Sequence, residues 1–295
     1  RLLGKIEHVR AEQRLAAVQK MLGAVIDHLL DPGHQLLVGM VGVQHHADAV
    51  MLGEQMGVAG GGNGAIGQEA LKEPSLLASL RNVDALIHVL RVFDDPSVPL
   101  AAPIDPLKEI QDVEFDLMLS DLTQIEKRME RLEKDLKKGR TPELEAEQAL
   151  LLRAKPHLES EQPLRAMEMT ADEKKLIRGY MFLSQKPVLY VLNISESTTL
   201  GTDLEAAVEK YGLAAIAARP GTGATAICGK VEAELAEMPD EEAEEFLSSY
   251  GLGESGLRRL IRKSYELLGL ISFFTVGEDE CRAWTIPVNS RAQAA

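Results

Sequence analysis

The apolar positions along the chain change period from one stretch to the next, and the period decides which element each stretch can form. Leu15, Val18, Leu22, Val25 and Leu29 step by three and four. That spacing puts them on one face of a helix, which Asp31-Pro32-Gly33 stops. The apolar run from Leu36 to Val43 fits a short buried strand. From Val83 to Phe93 the chain is rich in β-branched and apolar residues without strict alternation, the pattern of a central strand covered on both faces. A long helix follows Pro106, and in its second half Met118, Leu122, Ile125, Met129, Leu132 and Leu136 alternate steps of four and three. Glu and Lys fill the positions between them, so this stripe predicts a coiled-coil seam. Gly139, Thr141 and Pro142 end the helix, and Glu143 to Lys155 predicts a second helix folded back on the first as an antiparallel hairpin. Thr170-Ala171-Asp172-Glu173 has capping-box spacing and opens a third helix. Val188 to Leu192 is a second continuous apolar strand, and Thr225 to Cys228 a third. Strand, helical insertion, strand, helix, strand, helix is an α/β core interrupted by a helical arm.

Composition narrows the function classes. With 295 residues, 45% of them apolar, the chain can build one large domain or two ordinary ones, and a disordered or collagen-like chain is excluded. Its 32 Lys and Arg against 46 Asp and Glu leave a net charge of -14, which repels phosphate backbones at long range. Any nucleic-acid contact is then a local patch, and no DNA partner is expected. Uncharged stretches such as Leu36 to Ala47 are about half the length that spans a bilayer, and no charged segment followed by an apolar one opens the chain. No membrane partner is expected. Two cysteines, Cys228 and Cys281, suit a reducing compartment, so a cytoplasmic location is expected. The chain opens on Arg1, and a native start upstream of it is an expectation.

Three clusters of polar or charged residues are weak guides. His45-His46 with Asp48, His28 and His34 could suggest a metal site, but adjacent histidines on a strand point to opposite faces, and no metal ligand is assigned. Glu232 to Glu245 holds eight acids and no base, which predicts a solvated helical face that nucleic acid avoids. The arm mixes Lys127, Arg128, Arg131, Lys134, Lys137, Lys138 and Arg140 among acids. These are either a partner-binding surface or the outward charges of a helical hairpin.

The chemistry gathers at strand ends. In open α/β sheets, ligands sit beyond the carboxyl ends of the strands. Asn193 and Glu196 stand there, three apart, in Lys186-Pro187-Val188-Leu189-Tyr190-Val191-Leu192-Asn193-Ile194-Ser195-Glu196. An amide and a carboxylate so placed can meet the edge of a purine, though Asn and Glu after a strand are also ordinary turn and cap residues. The next strand ends in Ile227-Cys228-Gly229-Lys230, where backbone N–H groups and a Lys stem can close over a base.

Five blocks, Ser79 to Asp95, Asp105 to Lys134, Lys186 to Glu196, Ile227 to Pro239 and Ser255 to Ile286, together resemble the YchF family. These are the Obg-like ATPases of the P-loop GTPase class, in the TRAFAC/Obg group. The resemblance covers residues 75 to 295 in order. It implies a partial P-loop NTPase-like parallel sheet, an inserted α-helical coiled-coil arm and the start of a β-grasp (TGS) domain, a module linked to ribosome and RNA contact. It implies ATP, or GTP, binding and hydrolysis coupled to ribosome association, with Mg2+ as cofactor. In the family an NxxE motif replaces the usual NKxD and accompanies acceptance of ATP, and Asn193 and Glu196 fit that pattern. Cys228, Gly229 and Lys230 fall where the family has its loop beside the base.

The departures concern the phosphates. No GxxxxGK[ST] string occurs in the sequence, and the DxxG motif expected shortly before Ser79 is absent. The nearest stretch, Gly57-Val58-Ala59-Gly60-Gly61-Gly62-Asn63-Gly64, has no following Lys-Ser or Lys-Thr. The catalytic residues and any Mg2+ ligand are therefore unassigned, and hydrolysis is expected to be impaired. The expected organisation is an unassigned segment over 1–70, a nucleotide-binding core from 71–105 and 179–269, a helical insertion over 106–178 and a truncated TGS start over 270–295. Residues 1–70 are expected to be either a divergent replacement or the product of a misread coding sequence. The alternative function is a non-catalytic interaction protein that uses the helical arm to contact the translation machinery.

Overall fold

The structure is a computed structural model that describes residues 36–40, 74–94, 103–199, 204–276 and 281–291. The helix expected over Leu15 to Leu29, the histidines of residues 28–46 and the glycine cluster lie outside the described residues. Four strands, β1 (Leu36–Met40), β2 (Ala85–Arg91), β3 (Val188–Asn193) and β4 (Thr222–Ile227), join in that order. β1 runs antiparallel to β2, while β2, β3 and β4 are mutually parallel. Every residue of β2 and β3 is buried, which is why their sequences show no alternation of apolar and polar positions.

Helix α1 (Pro74–Arg81) precedes β2, and α2 (Pro106–Lys138) leaves from beyond its carboxyl end. Asp105 caps α2 by accepting from the Lys108 N–H at 3.1 Å, and Pro106 sits at the first helical position, where no N–H is needed. α3 (Pro142–Glu159) starts on Thr141 and runs past its expected end at Lys155, through Pro156. α4 (Ala171–Ile177) opens on a true capping box. The Thr170 hydroxyl accepts from the Glu173 N–H at 3.2 Å, and Glu173 accepts from the Thr170 N–H at 2.8 Å.

Two apolar clusters divide this part of the chain. The seam residues Met118, Ile125 and Leu132 are buried against Leu150, Leu151, Ala154 and Leu158 of α3 and Phe182. Ile110, Val113 and Leu117, on the first turns of the same helix, belong instead to the sheet's cluster with Leu86, Leu90, Tyr190 and Leu192. Polar pins hold the helix where its partner changes. Asp121, fully buried, accepts from the N–H groups of Leu183 (3.0 Å) and Ser184 (2.7 Å) and from the Ser184 hydroxyl (2.8 Å). Arg81 reaches the same carboxylate at 3.1 Å. Glu114 accepts from Arg165 and from the Tyr190 hydroxyl.

Short helices α5 (Glu196–Thr199), α6 (Leu204–Lys210) and α7 (Leu213–Ala217) link β3 to β4. α8 (Gly229–Glu237), α9 (Asp240–Ser249) and α10 (Gly256–Leu268) follow β4. α10 lies against β4 and β3 and ends at Gly269, whose φ of 61° is the left-handed cap that glycine adopts without strain. The hairpin of β5 (Leu270–Val276) and β6 (Cys281–Pro287) comes last. Among the described residues no helix is long and apolar enough to cross a membrane.

Candidate functional site

In the parallel pairing of β3 with β4, Asn193 stands beside Ile227, so the two carboxyl ends finish together. α8 begins at Gly229, immediately after that edge, and the first N–H groups of a helix have no partner within it. The Asn193 carboxamide oxygen accepts from the Gly229 N–H at 3.0 Å and meets one of them. Asn193 is 6% exposed, so this bond is sheltered from water and fixes the turn after β4 to the end of β3. The bond spans two strands rather than one turn.

Glu196, the first residue of α5, reaches across the same edge. Lys230 Nζ lies 2.5 Å from its Oε2, and the Tyr250 hydroxyl donates to its Oε1 at 2.8 Å. The Glu196 carboxyl is held below the usual carboxylate range by Lys230 first and Tyr250 second. Lys230 is pushed up in return by Glu196, and the Tyr250 hydroxyl rises to about 12 through the same hydrogen bond. The pair is open, with the Lys230 side chain 62% exposed and that of Glu196 34%. An ionised carboxylate offers about four lone-pair sites, and two donors leave capacity for a further donor such as an exocyclic amine.

The sequence groups Cys228, Gly229 and Lys230. The structure brings Gly229 to Asn193 and Lys230 to Glu196, and it packs the Cys228 side chain, 4% exposed, into the sheet's core cluster. Cys228 contributes backbone at this edge.

Two residues here escape sequence reasoning. Tyr250 is 54 positions from Glu196, and its one trace is the aromatic pair Phe246 and Tyr250 at helical spacing within an acidic stretch. Glu232 is a correction. Read as part of a solvated acidic face, it is 5% exposed and accepts from the N–H groups of Gly256 (2.6 Å) and Leu257 (3.2 Å). With Ser255 accepting from the Arg258 N–H at 3.2 Å, it satisfies the start of α10, and burial pushes its carboxyl up. A Cβ on Gly256 would come within 2.8 Å of Ile227 Cγ2, so only glycine lets α10 approach the end of β4 this closely. The packed start of α10 thus supports the end of β4 beside the candidate site.

The arm's cations divide. Arg128 turns inward to Glu147 and Tyr180, and Lys155 reaches Glu126 at 2.8 Å across the hairpin. Among the described residues, no group of three or more His, Cys, Asp or Glu could hold a metal ion.

No protein-family model matches the chain. The ribosome-binding ATPase YchF of Bacillus subtilis is 37% identical over 220 residues, covering 73% of this chain and 58% of that protein. The ribosome-binding ATPase YchF of Escherichia coli is 36% identical over 266 residues, 90% of this chain and 71% of that protein. The second match leaves out only about a tenth of the chain and so reaches into residues 1–70. Among solved structures, the YchF GTPase of Schizosaccharomyces pombe superposes with a TM-score of 0.64 at 31% identity, covering 75% of this chain and 60% of that one. The chain spans little more than half the length of the Bacillus subtilis relative. The strand-end motif, the α/β fold with its helical arm and identity at this level across most of a relative have one source: the chain belongs to the YchF family.

Proposed function

We propose that this chain binds a purine nucleotide, ATP or GTP, with its base at the carboxyl ends of β3 and β4, in the cytoplasm and in association with the ribosome or its RNA. In this reading Asn193 faces the purine ring and Glu196 accepts from the exocyclic amine. Gly229 and Lys230 pack against the base, with Cys228 as backbone support. The observation that carries it is the double link across the strand ends, Asn193 to Gly229 and Glu196 to Lys230, which joins two motifs far apart in sequence into one acceptor-rich edge. Relatives named as ribosome-binding ATPases supply the association with the ribosome. The core is assigned to 71–105 and 179–269, the helical insertion to 106–178, the start of the TGS module to 270–295, and 1–70 stays unassigned. Hydrolysis is impaired, because the sequence lacks the GxxxxGK[ST] string whose backbone and Lys hold the phosphates. Mg2+ would neutralise the phosphates, but the described residues supply no visible holder for it, and no step is derived through it.

The test is equilibrium binding of a fluorescent ATP analogue to the full chain, with and without Mg2+ and with competing GTP. Saturable binding that is weakened about tenfold in Asn193→Ala and in Glu196→Ala, with little turnover, is the expected result. Binding unchanged by both substitutions would sink the base assignment. The absence of any binding would favour the second reading, a non-catalytic interaction protein working through the arm. That reading draws on the arm's own apolar cluster and on the exposed Leu152 on its surface.

A further inference from the structure

Glu196 is the side chain whose aim matters most in this reading, and its own segment does little to aim it. It opens a four-residue helix, and a glutamate has three side-chain torsions to restrain. Lys230 contributes charge through a long, 62% exposed stem, which is a poor restraint on direction. Tyr250 is different. It closes α9, with its N–H donating to the carbonyls of Leu247 and Ser248. Its ring sits 5.1 Å from that of Phe246 at a tilt of 52°, and it packs against the sheet's core cluster. A ring held in this way places its hydroxyl within a small volume, and that hydroxyl donates to Glu196 Oε1 at 2.8 Å. The single O–H hydrogen is used on Glu196, so the hydroxyl acts on that carboxylate and holds its direction.

We infer that Tyr250 is the positioning residue of the base site, fixing the Glu196 carboxylate to receive the exocyclic amine of a purine nucleotide. The inference rests on the reading of Asn193 and Glu196 as base-contacting residues. It makes base selectivity depend on a residue outside both strand-end motifs.

The experiment is competition against a fluorescent ATP analogue bound to the full chain, using two pairs of nucleotides that differ by the amine. The pairs are ATP with purine riboside triphosphate, and GTP with ITP. The unsubstituted chain is expected to prefer the amine-bearing member of at least one pair by about tenfold, the size of one hydrogen bond to a charged group. Tyr250→Phe keeps the ring on Phe246 and removes only the hydroxyl, and it is expected to bring that ratio below about threefold while the amine-free member binds as before. General damage to the fold would weaken both members alike and leave the ratio standing, which would overturn the inference. Glu196→Ala separates the two levels. A ratio that collapses in Glu196→Ala and persists in Tyr250→Phe overturns the role of Tyr250 and keeps the base reading. A ratio near one in the unsubstituted chain, or no binding at all, removes both.

Discussion

The arm and the strand ends each hold a glutamate between a cation and a tyrosine hydroxyl, and they use the same three chemical groups to opposite effect. In the arm, Arg128 meets Glu147 with both arms of its fork, Nε to Oε1 at 2.7 Å and Nη2 to Oε2 at 2.8 Å, and Tyr180 donates to the same carboxylate. The Glu147 side chain is 10% exposed, and Tyr180 is stacked on Phe182 with ring centroids 5.0 Å apart. A planar fork matched to a carboxylate uses up its acceptor capacity, so this trio is a closed staple between α2 and α3. At the strand ends the cation is a lysine, a point charge that takes one oxygen and leaves the carboxylate open to a further donor. One trio holds the fold together, and the other holds an acceptor up to solvent.

The largest effect is expected where the two regions join. Asp121→Ala leaves the Leu183 and Ser184 amides and the Arg81 guanidinium without their buried acceptor, and removing one partner of a buried ion pair costs about 3–5 kcal/mol. Urea unfolding measures the loss, and faster hydrogen exchange at the 183 and 184 amides would locate it. A loss no greater than that of an exposed ion pair would mean that α2 is held at the junction by its apolar contacts alone.

Next in size is the staple itself. Glu147→Gln is expected to cost about 2 kcal/mol at neutral pH, the range for a hydrogen bond to a charged group. The hydrogen bond from Arg128 comes first in holding the Glu147 carboxyl below its ordinary 4.5, with Tyr180 adding to it. The unfolded chain therefore takes up this proton before the folded one does. The stabilisation is complete above the ordinary carboxylate pKa and disappears as pH falls through the depressed folded value. Parent and Gln variant should thus converge in acid when their urea midpoints are compared across pH. Glu196→Gln, at an open pair, should leave the neutral-pH midpoint nearly unchanged. Equal losses from the two substitutions would erase the distinction between staple and site.

The fold was legible where burial leaves a mark on composition. β2 and β3 read as continuous apolar runs because both faces are covered, and the seam from Met118 to Leu136 reads as a coiled coil because the hairpin buries it. The change of partner within α2 was not legible. Ile110, Val113 and Leu117 also step by three and four, but they lie about 100° round the helix from the seam, so α2 turns one face to the sheet and another to the hairpin, and the spacing alone does not say which partner each face meets. Asn193, Glu196, Gly229 and Lys230 could be singled out because strand ends are where ligands gather, and each motif is local. Tyr250 and Glu232 could not, since which members of an acidic helical stretch turn inward depends on how α9 and α10 return to the sheet. Charge pattern alone reports the average face and misses an acid, Glu232, that caps a neighbouring helix.

The smallest expected effect is the sharpest test of the contrast. Lys230→Arg keeps the charge and supplies the fork that Arg128 has in the arm, so Glu196 is drawn from an open pair toward a closed one. Stability should hardly change, because both the lysine and the glutamate stand in solvent, where an exposed pair contributes little. On the proposed base reading, nucleotide affinity should fall about threefold, since the guanidinium would compete with the base amine for the same lone pairs. The loss should fall on ATP or GTP and spare the amine-free analogue, as measured by the competition against the fluorescent analogue. Unchanged affinity would mean that the carboxylate keeps room for a base even beside a fork, and that the difference between the two trios lies in their burial rather than in the choice of lysine over arginine.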